Sequence, residues 1–354
     1  MGSRVSSILR AGAVPLVIVG IFLAMEIVTR ILLFGVDGVV HPMRVNPRPI
    51  TLTSITIANA DPVLNYRLNP GLASYFKGRE FSVNDAGFRG PPLATAKPPE
   101  TFRIASLGAS ITMGAGVADR DVYSAQLEAM LNERLHRGFE VINASVGGYS
   151  ARQIVDMYDQ QVARFHPDLI LFPVFYSGYQ SLDDPVPSSY PPYSSFAPAW
   201  NDLRGYFVDS FFYQGLREAA RKWLTTHLAW DWTIRGRPAP PDAPTPESTA
   251  AVLSRFVAQR HAQAIPVCLL VLHRISEDPP ETDPAARQRL LTWVDANPGS
   301  CLIDTMPGLR GKVDAADRIY WGDNHPNPRV HRLYADEIFK ALSAAKLLPG
   351  TAAP

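Results

Sequence analysis

Cysteine is nearly missing from this chain: Cys268 and Cys301 are its only two in 354 residues, and they form no C-x-x-C pair. That excludes a thiolate zinc site, and no His, Cys or Asp set has zinc-ligand spacing, so neither a metal nor a cofactor is expected. Each cysteine sits in or beside an apolar strand-like run. Buried free thiols are the default expectation, with a disulfide between neighbouring strands as the alternative in an oxidising compartment. An excess of either charge is missing too. Lys and Arg number 34 against 33 Asp and Glu, a net charge of +1, which gives no electrostatic case for a nucleic-acid partner. No internal repeat is visible. Proline, in contrast, is plentiful: the 32 prolines cluster, which points to long irregular connections rather than global disorder.

The N-terminus bears on the compartment. Residues 1–10 are polar and carry Arg4 and Arg10, residues 11–25 are uncharged and mostly apolar, and Ile27, Val28 and residues 31–34 prolong the run. Glu26 and Arg30 interrupt it at i, i+4 spacing and can pair on one helix face. The segment 11–34 is long enough to cross a bilayer, and no small-x-small cleavage site follows cleanly. An uncleaved transmembrane signal anchor is expected, with the basic tail 1–10 in the cytoplasm and the bulk of the chain outside.

Residues 35–100 read as a spacer marked by Pro42, Pro47 and Pro49, followed by a strand-rich lead-in that ends in FSVNDAGFRG (81–90). From residue 101 strands and helices alternate: strand 102–108, helix 122–135, strand 139–143, helix 151–165 capped by Ser150, and strand 169–175. An insertion at 183–247 then breaks the pattern with two proline clusters and an aromatic amphipathic run at 200–232. A segment this long is read as a lid, a face touching membrane or partner, or a helical excursion with its own small core. The alternation resumes with a helix opened by Thr245-Pro246-Glu247, strand 265–272, helix 284–296 after Asp283, strand 300–304, and a last helix capped by Asn327. Strands regularly separated by helices imply a parallel sheet covered on both faces.

Chemistry gathers at the strand ends. TFRIASLGASITMGAGV (101–117) is a buried strand that stops at Gly108, with Ser110 two residues on and a helix soon after. This sets a hydroxyl at the C-terminal edge of the sheet, where open α/β sheets place ligands, so Ser110 is either a nucleophile or a plain helix cap. Gly147 follows the second strand in NASVGGYS, Tyr176 to Gln180 follow the third, and Asp323 and His325 precede the last helix in WGDNHPN. A serine esterase needs a base, a group that orients the base and donors for an oxyanion, and these ends offer all three. The Gly114 and Gly116 turn lacks the Gly-Lys-Ser/Thr ending of a phosphate loop.

This order of blocks resembles the SGNH (GDSL) hydrolase family, in particular its envelope-anchored bacterial members, over roughly residues 81–347. GASIT corresponds to the Gly-Asp-Ser block and implies that Ser110 is the nucleophile. NASVGGYS implies the Gly147 N–H as an oxyanion donor beside that of Ser110. DNHPN implies His325 as general base with Asp323 as its partner. Ala109 stands where the family has aspartate, Gln180 where it has the oxyanion asparagine, and Gly322 where it has the acid. Gln180, or else the Tyr179 hydroxyl, is then the expected side-chain donor. The resemblance implies an α/β fold, a three-layer sandwich with a five-stranded parallel sheet of flavodoxin-like type, over 101–347, with 348–354 as a tail. It implies hydrolysis or transfer of an acyl ester on an envelope carbohydrate or lipid. The alternative is a degenerate relative that binds envelope glycan or assists a biosynthetic complex. The expected location is the inner membrane, single-pass, with the catalytic domain on the periplasmic or extracellular side.

Overall fold

The computed structural model describes residues 2–40, 52, 55–187, 190, 212, 216, 219, 247–275, 283–319 and 323–349. The spacer prolines, most of the insertion, Pro246, Gly322 and most of the tail lie outside the described residues.

The predicted N-terminal segment forms a helix, α1 (Gly2–Phe34), along which Leu16, Val17, Ile18, Ile21 and Leu23 are exposed. Glu26 and Arg30 pair at 2.8 Å, as their spacing implies. Among the described residues no helix is long and apolar enough to cross a membrane. Phe212 of the insertion sets its ring edge-on to Phe22 of α1 at 5.7 Å and donates its backbone N–H to Glu26 Oε2 at 3.0 Å.

The lead-in folds into two antiparallel hairpins, β1 (Thr56–Ala58) with β2 (Tyr66–Leu68) and β3 (Ala73–Phe76) with β4 (Arg79–Ser82). The second turns tightly through Lys77 and Gly78, both at positive φ. The main sheet follows, with β5 (Phe102–Gly108), β6 (Phe139–Ser145), β7 (Leu169–Val174), β8 (Val267–Val271) and β9 (Ser300–Asp304). All its pairings are parallel and its order is β6-β5-β7-β8-β9. Every residue of β7 and β8 is buried, because helices cover both faces of a parallel sheet. Among those helices α3 (Tyr123–Leu135) packs on α7 (Pro328–Ala344), and α4 (Ala151–Met157) on α5 (Thr249–His261). The short α2 (Ser110–Met113) follows β5, and α6 (Pro284–Asp295) lies between β8 and β9.

Three expectations are corrected. Strand β6 runs to Ser145 rather than 143, since its ladder with β5 continues to the Gly108–Ser145 pair. Helix α5 starts at Thr249, not at Pro246: Ser248 caps it by accepting from the Ala251 N–H, and the Glu247 carbonyl is held by Val186 N–H at 2.7 Å. A serine at that position satisfies an orphan helix donor, which proline at N1 cannot do. The cysteines are not free. Register places Cys268 on β8 directly opposite Cys301 on β9, Cα atoms 4.4 Å apart, and the two form a disulfide. Strand register is invisible in a reading of each strand alone.

Candidate active site

In sequence order the five strands of the sheet lie 2-1-3-4-5, so the chain leaves β5 and β7 toward opposite sides of the sheet. The crevice between those two strand ends is where such sheets bind ligands. Ser110 opens α2 directly beyond β5. A Cβ on Gly108 would lie 2.2 Å from Thr112 Oγ1, so only glycine lets the strand turn into the helix this sharply. Ala109 offers no side-chain cap, so the first N–H groups of α2 stay open.

Two buried polar side chains fix α2 from below. Arg89, on the lead-in, donates to the Met113, Gly114 and Val117 carbonyls, pairs with Asp119 at 2.9 Å, and lies over the Phe81 ring. It thereby collects the carbonyls at and beyond the C-terminal end of the helix that carries Ser110. Burial lowers its pKa to about 10, partly offset by Asp119, so it remains charged at neutral pH. Asn143 on β6 donates to the Thr112 carbonyl at 2.9 Å and to Ser124 Oγ at 3.0 Å.

The histidine block lies against the same loop. Gly116 approaches Ile319 so closely that a Cβ there would sit 2.4 Å from Ile319 Cδ1. Ile319 in turn donates its N–H to the His325 carbonyl at 3.0 Å, and Asn324 holds β8's exit through Ile275 N–H. The glycine turn at Gly114 and Gly116 thus brings the Ser110 loop and the His325 loop together. Asp323 Oδ1 accepts from both the His325 backbone N–H (2.9 Å) and Nδ1 (2.5 Å). Its other oxygen accepts from Lys77 Nζ at 2.5 Å, at the tip of the β3–β4 hairpin. Burial alone would raise the Asp323 pKa, but the His325 hydrogen bond and the Lys77 charge outweigh it and hold the carboxyl well below its usual range. Burial, then the Lys77 charge, lowers the His325 pKa, with Asp323 opposing. His325 is therefore neutral at neutral pH, with Nδ1–H on Asp323 and the Nε2 lone pair free for a proton.

Ser110, Gln180, Tyr179 and Arg274 line one small cleft of about 30 Å³, walled by Pro173, Phe175 and Leu272. No hydrogen bond joins Ser110 Oγ to His325 among the described residues, and His325 does not line the cleft. Gln180, with φ +62°, is almost wholly buried, and its Nε2 donates to the Tyr149 carbonyl at 3.0 Å. The Tyr179 hydroxyl reaches the Gly148 and Tyr149 carbonyls. Both expected side-chain donors are thus turned to the glycine block rather than to open space beside Ser110. The Gly147 carbonyl accepts from Tyr66 at 2.8 Å, while its N–H meets no acceptor among the described residues. Tyr176 points away from the cleft, to Asp304 Oδ2 at 2.7 Å.

Lys77, Arg89, Asn143 and Arg274 were not singled out from the sequence. Arg274 carried a usable signal, since it follows the C-terminal end of a parallel strand, the edge where ligands bind. Nothing local to SYFKGREFS connects Lys77 to a carboxylate in the last quarter of the chain.

No protein-family model matches the chain, and no curated protein does either. Solved structures similar to it include Axe2, an acetylxylan esterase from Geobacillus stearothermophilus, at TM-score 0.40 and 14% identity over 68% of this chain and 93% of that one. The psychrotrophic esterase EstA from Pseudoalteromonas sp. matches at TM-score 0.40 and 14% identity, over 70% and 99% of the two chains. The lipase Lip_vut3 from a goat rumen metagenome matches at TM-score 0.37 and 14% identity, over 68% and 97%. These likenesses are remote.

Proposed function

We propose that this chain is a serine ester hydrolase of the SGNH type acting on a short-chain acyl ester. The observation that carries this reading is the Asp323–His325 pair, held by Lys77 and hinged to the Ser110 loop through Gly116 and Ile319. In this mechanism Ser110 Oγ bonds to the ester carbonyl carbon as its proton passes to His325 Nε2. The oxyanion lies against the Ser110 and Gly147 N–H groups, with the remaining Gln180 amide hydrogen as a third donor. Collapse expels the alcohol, which takes the proton from His325. Water then repeats the sequence on the acyl-enzyme, and a sugar hydroxyl in its place would make the protein an acyltransferase. The cleft is small, about 30 Å³, which favours a short acyl group over a long one.

The test is labelling of the full chain with a fluorophosphonate probe, with Ser110→Ala as control. Ser110-dependent labelling is expected; a folded protein that does not label overturns the catalytic reading. A second reading, a non-catalytic glycan-binding relative, is favoured by one observation: Gln180 and Tyr179 both spend hydrogens on the Tyr149 carbonyl. It predicts glycan binding without labelling.

The same proposal places the protein at the envelope with its catalytic domain outside the cytoplasm and α1 as its attachment to the membrane, although among the described residues no helix is long and apolar enough to span one. Exposed apolar side chains on α1 and the Cys268–Cys301 disulfide support this. Alkaline extraction should leave the full chain in the membrane pellet and release a chain starting at Val36; release of both would overturn the anchor.

A further inference from the structure

Arg274 stands apart from the other well-braced arginines. Arg89 pairs with Asp119, Arg103 with Glu140, and Arg260 with Asp159. Among the described residues Arg274 makes no ion pair and one hydrogen bond, from Nη2 to the Tyr179 carbonyl at 3.2 Å. Its guanidinium is nonetheless held in place, 4.5 Å from the Phe175 ring centroid and 5.6 Å from that of Tyr179. Asp184 lies close enough to act on it electrostatically, but Asp184 Oδ2 is taken by the Gln180 N–H and no ion pair forms. The result is a stacked, planar cation with unfilled donors on the wall of the cleft that holds Ser110. A guanidinium fixed by aromatic faces matches a carboxylate or phosphate bidentately at little further ordering cost.

We propose that Arg274 is an anion-binding subsite of the Ser110 cleft, so that the substrate carries a carboxylate or phosphate close to its ester. This rests on the esterase reading for the word substrate, while the subsite itself does not depend on it. An acylated uronic acid and an acylated sugar phosphate both satisfy the chemistry, and a neutral acylated sugar does not.

The test measures the rate of Ser110 labelling by a fluorophosphonate on the full chain with added glucuronate, glucose 6-phosphate or glucose. At a concentration about ten times its Kd, at least one anion should slow labelling by roughly tenfold, as competitive occupancy requires, and glucose at the same concentration should not. Glucuronate alone as protector identifies a carboxylate, and glucose 6-phosphate alone a phosphate. Arg274→Gln should abolish protection and Arg274→Lys should retain part of it, with circular dichroism confirming that both variants fold. Protection by glucose equal to that by the anions, or undiminished protection in Arg274→Gln, overturns the proposal. If Ser110 does not label at all, the esterase reading falls, and calorimetric titration of the same three compounds into wild type and Arg274→Gln decides the subsite. Arg274-dependent binding of an anion then sustains it, and its absence ends it.

Discussion

Lys77 Nζ lies 2.5 Å from Asp323 Oδ2, across 246 positions of sequence. The side chains of both are almost buried, so a lysine from the lead-in acts on the carboxylate that orients His325. Because its charge lowers the His325 pKa, Lys77→Met should raise that pKa. The base would then stay protonated to higher pH, and the acid limb of the kcat/KM profile should move upward in pH. Lys77→Arg should restore the wild-type limb. A profile unmoved in Lys77→Met would mean that the ion pair only tethers the hairpin.

Asp323→Asn tests the orientation of the base itself. With Nδ1–H no longer fixed on a carboxylate, turnover of a short acyl ester should fall by on the order of 10²- to 10⁴-fold with little change in KM. A loss under about threefold would assign the orienting role elsewhere.

Arg89 is a buried cation whose removal takes the ion pair from Asp119, leaving it with Ser82, and takes a donor from the Glu80, Met113, Gly114 and Val117 carbonyls. Arg89→Met should cost about 3–5 kcal/mol of stability in urea unfolding, the range for breaking a buried pair from one side. Retention of wild-type stability would show that solvent replaces the guanidinium.

The disulfide closes a loop with a sequence separation of 33. Chain-entropy arithmetic for a loop of that size gives about 3–4 kcal/mol, which reduction or Cys268→Ala with Cys301→Ser should remove. Two titratable thiols in the denatured, unreduced protein would refute the bond.

His331 is fully buried, stacked on Tyr123 and accepting the Tyr123 N–H on Nδ1. Burial, reinforced by the Arg89 and His325 charges, lowers its pKa from 6.5 to about 3. Below pH 6.5 the unfolded chain binds a proton that the folded chain refuses, so this contribution to stability is whole at neutral pH. It is lost progressively as pH falls from 6.5 toward 3, at about 1.4 kcal/mol per pH unit. Between pH 7.5 and 5.5 wild type should lose about 1.4 kcal/mol more stability than His331→Gln in unfolding curves; an equal loss in the two would mean that His331 titrates normally.

The element order was largely legible from residues alone, because hydrophobic periodicity and capping are local. Ser150, Asp283 and Asn327 each cap the helix expected of them, and β9 spans the predicted 300–304. Helix 151–165 forms, but through a π turn at Tyr158–Val162 and a 3-10 turn at Ala163–Phe165. The features that differ, the β6 end, the α5 start and the cysteine state, depend on the ladder with β5, on a bridge from Ser248 to Pro185 and on strand register.

Ser110 at a sharp strand–helix corner, and Asp323 two residues before His325, were determined by the sequence itself. Backbone geometry over a few residues leaves such neighbours little freedom. Tertiary structure alone decided that Lys77 reaches Asp323, that Gly116 receives Ile319, and that Gln180 turns its amide to Tyr149. It also decided that Arg274 and Ser110 line one cleft. These contacts join distant segments, and packing selects them only once the sheet has set which strand ends are neighbours.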